Sequence, residues 1–330
     1  MAEVPPGKLT RVEAAAGSPA RANYVLLCPG SGPGEWIYAE MQQLLAKEGF
    51  ASVALTWDHA ACNHRLGWLC RQIHSAVASQ PGAPIILGHS AGALAAHAYA
   101  VASQREWSNA TQPADKRVKG LVFWSPCILG PFKLMKHQLV DRFLKDVGKA
   151  MKAAKAEEPY PKKGARRADG TIAKEFDLVT ESWIRNMWYH PDTKATTATK
   201  VDDAGAVMAD GKPATLAQIA ALTRKTCDEF STGAGNSAMY WPSAGLSKGK
   251  YGKGSDWKGP AVIVGGGGGD DWRTRDIILP PDLGERFKAE VLPQATLIAA
   301  AGQRHNLGDA GWEESAFAPM VAELKKWSAV

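Results

Sequence analysis

No apolar stretch in this chain approaches the roughly 20 residues needed to cross a bilayer as a helix. The opening residues, MAEVPPGKLTRVEA, contain no apolar core of the kind that marks a secretory leader, so none is expected. Cysteine is scarce. The five present (Cys28, Cys62, Cys70, Cys127, Cys227) are an odd number and form no C-x-x-C pair. That argues against a disulfide framework or a structural zinc site and predicts free thiols in a reducing, cytoplasmic setting. Charged residues are 22% against 45% hydrophobic, an ordinary globular balance that excludes whole-chain disorder and coiled coil.

The chain has 330 residues, enough for one large domain or for a core carrying a sizeable insert. Its net charge of +6 is unevenly placed. Residues 131–258 hold 22 Lys and Arg against 15 Asp and Glu, whereas the remainder holds 17 against 18. The positive charge therefore belongs to the middle of the chain. There it forms a solvated surface, or it steers an anionic substrate or draws the chain to a membrane surface. The basic residues are scattered among alanines and acids, with no motif that enters a nucleic-acid groove, so no nucleic-acid partner is expected.

Apolar patterning organises the rest. A first short strand is predicted near Lys8 to Ala14. Tyr24 to Cys28 is a compact apolar run that stops at Pro29-Gly30, the pattern of a buried parallel strand. Helical spacing follows over Glu35 to Glu48, ending at Gly49. Further strands are predicted over 51–56, 84–87 and 118–124, alternating with helices over 65–79 and 91–103. Alternation of this kind implies βαβ units and a parallel sheet. It lapses near residue 130. Helices are expected over 132–155, 176–187 and 216–230, joined by Lys-, Gly- and Pro-rich loops and without a convincing buried strand. Alternation returns with a strand over 261–264, a helix near 283–290, a strand over 295–301 and a helix over 312–327. The expected organisation is thus a mostly parallel, doubly wound α/β core, residues 1–130 and 258–330, interrupted by a helical insert, residues 131–257.

One motif carries chemistry. Gly88-His89-Ser90-Ala91-Gly92 is a G-x-S-x-G lying between a predicted strand and a predicted helix. A serine at such a turn sits in a strained backbone conformation, and the flanking glycines let strand and helix pass too close for a Cβ. The hydroxyl then projects above the carboxyl edge of the sheet, beside the N–H of Ala91. A serine nucleophile needs a base, and the base an orienting acid. Of eight histidines, only His305 follows the last predicted strand. Asp270 and Asp271 follow the strand before it, after five glycines. Spacing favours Asp270 as the acid, with Asp271 as the alternative and Asp276 next in line. No Lys-Ser/Thr follows those glycines, so they are not read as a nucleotide loop, and no cofactor is called for. The oxyanion donors are expected to be the N–H groups of Ala91 and of Ser31, in the Pro29–Gly34 loop. His190 and Asp192 lack a third ligand, so no metal site is expected.

The order Ser90, Asp270, His305, with the elbow and an early Gly-rich loop, resembles the α/β-hydrolase superfamily. The resemblance covers residues 24–130 and 258–330. It implies an eight-strand, mostly parallel sheet and a helical cap inserted after the sixth strand. Two positions depart from the family pattern: its usual His-Gly is Pro29-Gly30 here, and its base loop is longer by two residues, Gly302-Gln-Arg-His305. Four of the twelve tryptophans, Trp183, Trp188, Trp241 and Trp257, fall within the expected cap. There Trp183, Trp188 and Trp241 either line an apolar pocket or fasten the cap to the core. The expected activity is hydrolysis of a small-molecule carboxylic ester or thioester by a Ser-His-Asp triad. Acyl transfer on the same triad, or ligand binding without catalysis, remain the alternatives. Fold and sequence leave the oligomeric state open.

Overall fold

In a computed structural model, residues 7–30, 35–58, 66–106, 116–126, 200–201, 207–209, 212–213, 257–266, 281–300, 303 and 311–328 are described. Seven strands form one sheet: β1 Lys8–Val12, β2 Asn23–Cys28, β3 Ser52–Thr56, β4 Ala83–His89, β5 Gly120–Trp124, β9 Ala261–Gly266 and β10 Thr296–Ala300. Their spatial order is β1-β3-β2-β4-β5-β9-β10. β1 runs antiparallel to β3 and every other pairing is parallel. The mostly parallel sheet is thus as expected, with seven strands among the described residues where the resemblance implied eight.

Sequence period explains the layers. Along each central strand, alternate residues enter opposite cores. Tyr24, Leu26, Cys28, Ile86, Leu121 and Phe123 pack with the helices α2 Leu66–Ala78 and α3 Ala91–Glu106, and with α4 Pro281–Glu290. Val25, Leu27, Ile85, Leu87, Val122 and Trp124 face α1 Ala39–Lys47 and the C-terminal α5 Ala318–Trp327. Because both faces are covered, β2 and β4 are buried throughout, and they read as unbroken apolar runs for that reason.

Two predicted helices begin irregularly. The segment foreseen from Glu35 opens with a 3₁₀ turn, Glu35–Tyr38, before α1, and α5 is preceded by a π turn, Glu313–Phe317. α1 ends as the sequence suggests. Gly49 takes φ +85° and donates its N–H to the Ala46 carbonyl. A Cβ there would also lie 2.2 Å from the Pro19 carbonyl oxygen.

In the expected insert, the described residues form strands rather than helices. β6 Lys200–Val201, β7 Val207–Ala209 and β8 Lys212–Pro213 make a small antiparallel sheet. Strands of two or three residues are too short to show a period of two, so the sequence did not announce them. The helices predicted at 132–155, 176–187 and 216–230 lie outside the described residues. Trp257, the last residue of that expected insert, is buried in the core, and its indole donates to the Pro260 carbonyl.

The order of connections fixes where a ligand can bind. From β2 the chain passes through α1 to β3 on one side, then returns through α2 to β4 on the other. The connection therefore reverses direction between β2 and β4. In open α/β sheets the crevice at the carboxyl ends of strands at such a reversal is the natural ligand site.

Candidate active site

Pro29-Gly30 leaves the carboxyl end of β2, and Ser90 leaves the carboxyl end of β4. Register places these ends side by side, with Cys28 opposite Gly88. Ser90 has φ +52°, a left-handed conformation for a residue with a Cβ. Its N–H donates to the Trp124 carbonyl at 3.0 Å, and its own carbonyl accepts from Ala93 at 3.2 Å. The turn is thus tied both to the neighbouring strand β5 and to the first turn of α3.

The glycines of the motif answer to close approach. A Cβ on Gly88 would lie 2.4 Å from the Ala93 α-carbon. One on Gly92 would lie 2.3 Å from the Pro29 carbonyl oxygen and 2.4 Å from that of Cys28. Gly30 meets Ser90 itself, since a Cβ there would sit 2.9 Å from Ser90 Cβ and 3.4 Å from His89 Nδ1. The loop after β2 and the turn after β4 are therefore in direct contact. Ala91 begins α3, so its N–H is among the four that a helix cannot satisfy internally. Ser90, the residue before it, is half-buried.

A second serine shares the strain. Among the described residues, Ser90 and Ser125 are the non-glycine positions with positive φ, the latter at +44°. Ser125 ends β5, is buried, and donates its N–H to the Val264 carbonyl at 2.8 Å. It links the end of β5 to that of β9. The sequence offers no signal for it beyond the following Pro126.

Two aromatic side chains at this edge also belong to no motif. The Tyr38 hydroxyl donates to the Cys28 carbonyl at 2.8 Å, and Trp57 Nε1 donates to the Pro29 carbonyl at 2.9 Å. Burial pushes the Tyr38 hydroxyl well above its ordinary pKa, and the neighbouring Cys28 adds to this, so it keeps the proton it donates to the Cys28 carbonyl. Further out, Glu35 ends the Gly-rich loop. Burial alone would raise its pKa, but hydrogen bonds from Lys8 and Thr56 outweigh that and hold the carboxyl below its usual range.

A family model described as "Alpha/beta hydrolase family" matches residues 25–321. The chain belongs to the alpha/beta hydrolase family. Among solved structures it is similar to an alpha/beta hydrolase from a Medee basin deep-sea metagenome library, with TM-score 0.54 and 9% identity over 97% of this chain and 93% of that one. It is also similar to a carboxylesterase structure from the thaumarchaeon Nitrososphaera gargenis, with TM-score 0.52 and 15% identity over 97% and 94%. An esterase from Exiguobacterium antarcticum gives TM-score 0.51 and 10% identity over 97% and 94%. At such identities these likenesses bear on the fold. No protein of curated function matches the chain.

In this alpha/beta hydrolase, Ser90 and Ala91 meet at the switch point with Gly30. Ser31, Asp270, Asp271, His305, Trp183, Trp188 and Trp241 lie outside the described residues. Among the described residues, no group of three His, Cys, Asp or Glu is placed to hold a metal ion. No described helix is long and apolar enough to cross a membrane. Neither Cys28 nor Cys70 is in a disulfide; Cys28 is buried, which raises its thiol well above its ordinary pKa, and the half-buried Cys70 donates to the Ala95 carbonyl.

Proposed function

We propose that the protein is a serine hydrolase that cleaves a carboxylic ester or thioester through an acyl-enzyme. The observation that carries this reading is Ser90, held at φ +52° at the strand-to-helix turn, where the close contacts of Gly30 and Gly92 bring the β2 loop against it. A left-handed serine at the switch point of an open sheet is strain kept where chemistry uses it.

Ser90 Oγ attacks the substrate carbonyl carbon while His305 takes its proton. Asp270, or Asp271 in its place, holds the imidazole and stabilises its cation. Negative charge that develops on the carbonyl oxygen is met by the N–H groups of Ala91 and Ser31, each such donor being worth about 10²–10³ in kcat. The C–O or C–S bond then breaks and the leaving alcohol or thiol receives the proton from His305. Water attacks the acyl-enzyme with His305 again as base, which releases the acid and restores Ser90. β9 and β10, the strands that precede the two aspartates and His305, run parallel to β4, so their loops leave from the same edge of the sheet. Residues 131–257 form the cap over that edge, with Trp183, Trp188 and Trp241 against the acyl group. Cys28 and Cys70, neither of them in a disulfide, suit a reducing, cytoplasmic setting.

A fluorophosphonate probe tests this reading. Wild-type protein is expected to label once, at Ser90, and to hydrolyse a panel of acyl esters, while Ser90→Ala does neither. Absence of labelling in the wild type would overturn the assignment.

A further inference from the structure

The chain that enters the crevice at Pro29 is held by side chains that the triad does not use. Tyr38, fully buried, comes from the 3₁₀ turn beyond the loop and reaches back to the Cys28 carbonyl. Trp57, also buried, follows β3 and reaches across to the Pro29 carbonyl. The two acceptors are successive carbonyls, and both lie against Gly92 at the start of α3.

Trp57 is itself fixed on either side. The Thr56 hydroxyl accepts the Glu35 N–H at 2.9 Å and donates to the Glu35 carboxylate. The buried Gln72 side chain bonds both backbone groups of Asp58, accepting its N–H at 3.0 Å and donating to its carbonyl at 2.8 Å. Entrance and exit of the segment that begins at Pro29 and ends at Glu35 are thus tied to one place, the carboxyl end of β3.

These bonds control direction as well as position. In a trans peptide the N–H points opposite to the carbonyl of the preceding residue. Fixing the Pro29 carbonyl therefore fixes the peptide plane that enters Gly30, the residue before the proposed donor Ser31, and Pro29 has no N–H of its own to compete for partners. Gly30 is the residue that touches Ser90.

We propose that Tyr38 and Trp57 are positioning residues that set the oxyanion loop against Ser90 before substrate arrives. The proposal rests on the hydrolase reading above and deepens it. Stabilisation of an oxyanion depends on donors already in place, and a displacement of about 1 Å costs on the order of 10²-fold in rate. Neither side chain contacts the substrate in this scheme. Each acts through the backbone of residues 28–30.

The test uses Tyr38→Phe, which removes one hydroxyl and keeps the ring, and Trp57→Phe, which removes the indole N–H. Four quantities are measured on the full chain: kcat and KM for a neutral p-nitrophenyl ester, the second-order rate of fluorophosphonate labelling at Ser90, and the urea midpoint. In each variant, kcat and the labelling rate are expected to fall together by about ten- to a hundredfold, with KM changed by less than about twofold. The double variant is expected to lose less than the product of the single losses, because both bonds hold one loop. Unchanged kcat and labelling in folded Tyr38→Phe, whatever its urea midpoint, would overturn the proposal and leave a structural role only. That variant decides the matter if Trp57→Phe fails to fold. A wild type that does not label at Ser90 would remove the hydrolase reading and the positioning role with it. A labelled wild type with unaffected variants would remove the positioning role alone.

Discussion

A serine at φ +52° holds its Cβ against its own backbone, a conformation that costs an L-residue about 1–2 kcal/mol. Glycine escapes that cost, whereas alanine keeps it. Ser90→Gly is therefore expected to be more stable than Ser90→Ala by about 1 kcal/mol, although both lose ester hydrolysis. Urea midpoints of the two variants check this, and equal midpoints would mean that the turn relaxes once the hydroxyl is gone. The acid is decided by a second pair. Asparagine at the true triad acid favours the wrong imidazole tautomer and lowers kcat by roughly 10⁴. Asp270→Asn is expected to show that loss and Asp271→Asn to lose far less. Equal, mild losses would move the role to Asp276. The elbow was legible residue by residue, because G-x-S-x-G between a strand and a helix has few other uses. Ser125, Tyr38 and Trp57 were not legible. A Tyr or Trp near a strand end is as common in an ordinary core, and only the structure shows that these two bond successive carbonyls.

At the scale of elements, α3 binds the elbow to the core and carries a titrating group of its own. His97 is buried with its ring edge-on to Phe123, the centroids 5.9 Å apart, and burial lowers its pKa to about 4. In the unfolded chain that histidine takes up a proton below its ordinary value of about 6.5, while in the folded chain it stays neutral down to about 4. Its contribution is thus complete above about pH 6.5 and is lost as the pH falls toward 4, by about 3 kcal/mol in all. Unfolding free energies at pH 7 and pH 4 are expected to differ by that much less in His97→Phe than in the wild type. Identical differences would mean that other groups dominate the slope. The contact between β4 and α3 makes a sharper demand. Gly88→Ala drives a Cβ to 2.4 Å from a backbone α-carbon that cannot yield without moving the helix. It is expected to cost about 3 kcal/mol or more and to abolish labelling of Ser90. A folded variant that labels at the wild-type rate would show that α3 can shift away at little cost. Element boundaries were readable where apolar runs or helical spacing exceeded about five residues. They failed at the 3₁₀ and π turns and at β6–β8, whose hydrogen-bond patterns leave no period in so few residues.

At the scale of the whole molecule, charge and topology separate roles. Residues 131–258, which include the expected insert, carry the net positive charge, whereas the proposed triad lies outside them. A positive cap is expected to steer anionic substrates. Their kcat/KM is then expected to fall as salt rises from about 0.01 to 0.15 M, with neutral esters nearly unaffected. Equal salt response for both kinds of ester would leave the charge as mere solvation. Taken alone, the sequence determined the α/β class, the strand-turn-helix around Ser90 and the burial of β2. Each is written in local pattern: apolar runs, punctuating glycines and prolines, and a motif with its flanks. Tertiary structure alone decided the strand order, the reversal between β2 and β4, the contact of Gly30 with Ser90, and the bonds from Tyr38 and Trp57. These depend on which segments become neighbours in space. Parallel pairing joins strands whose partners lie dozens of residues away, and no local period records that choice.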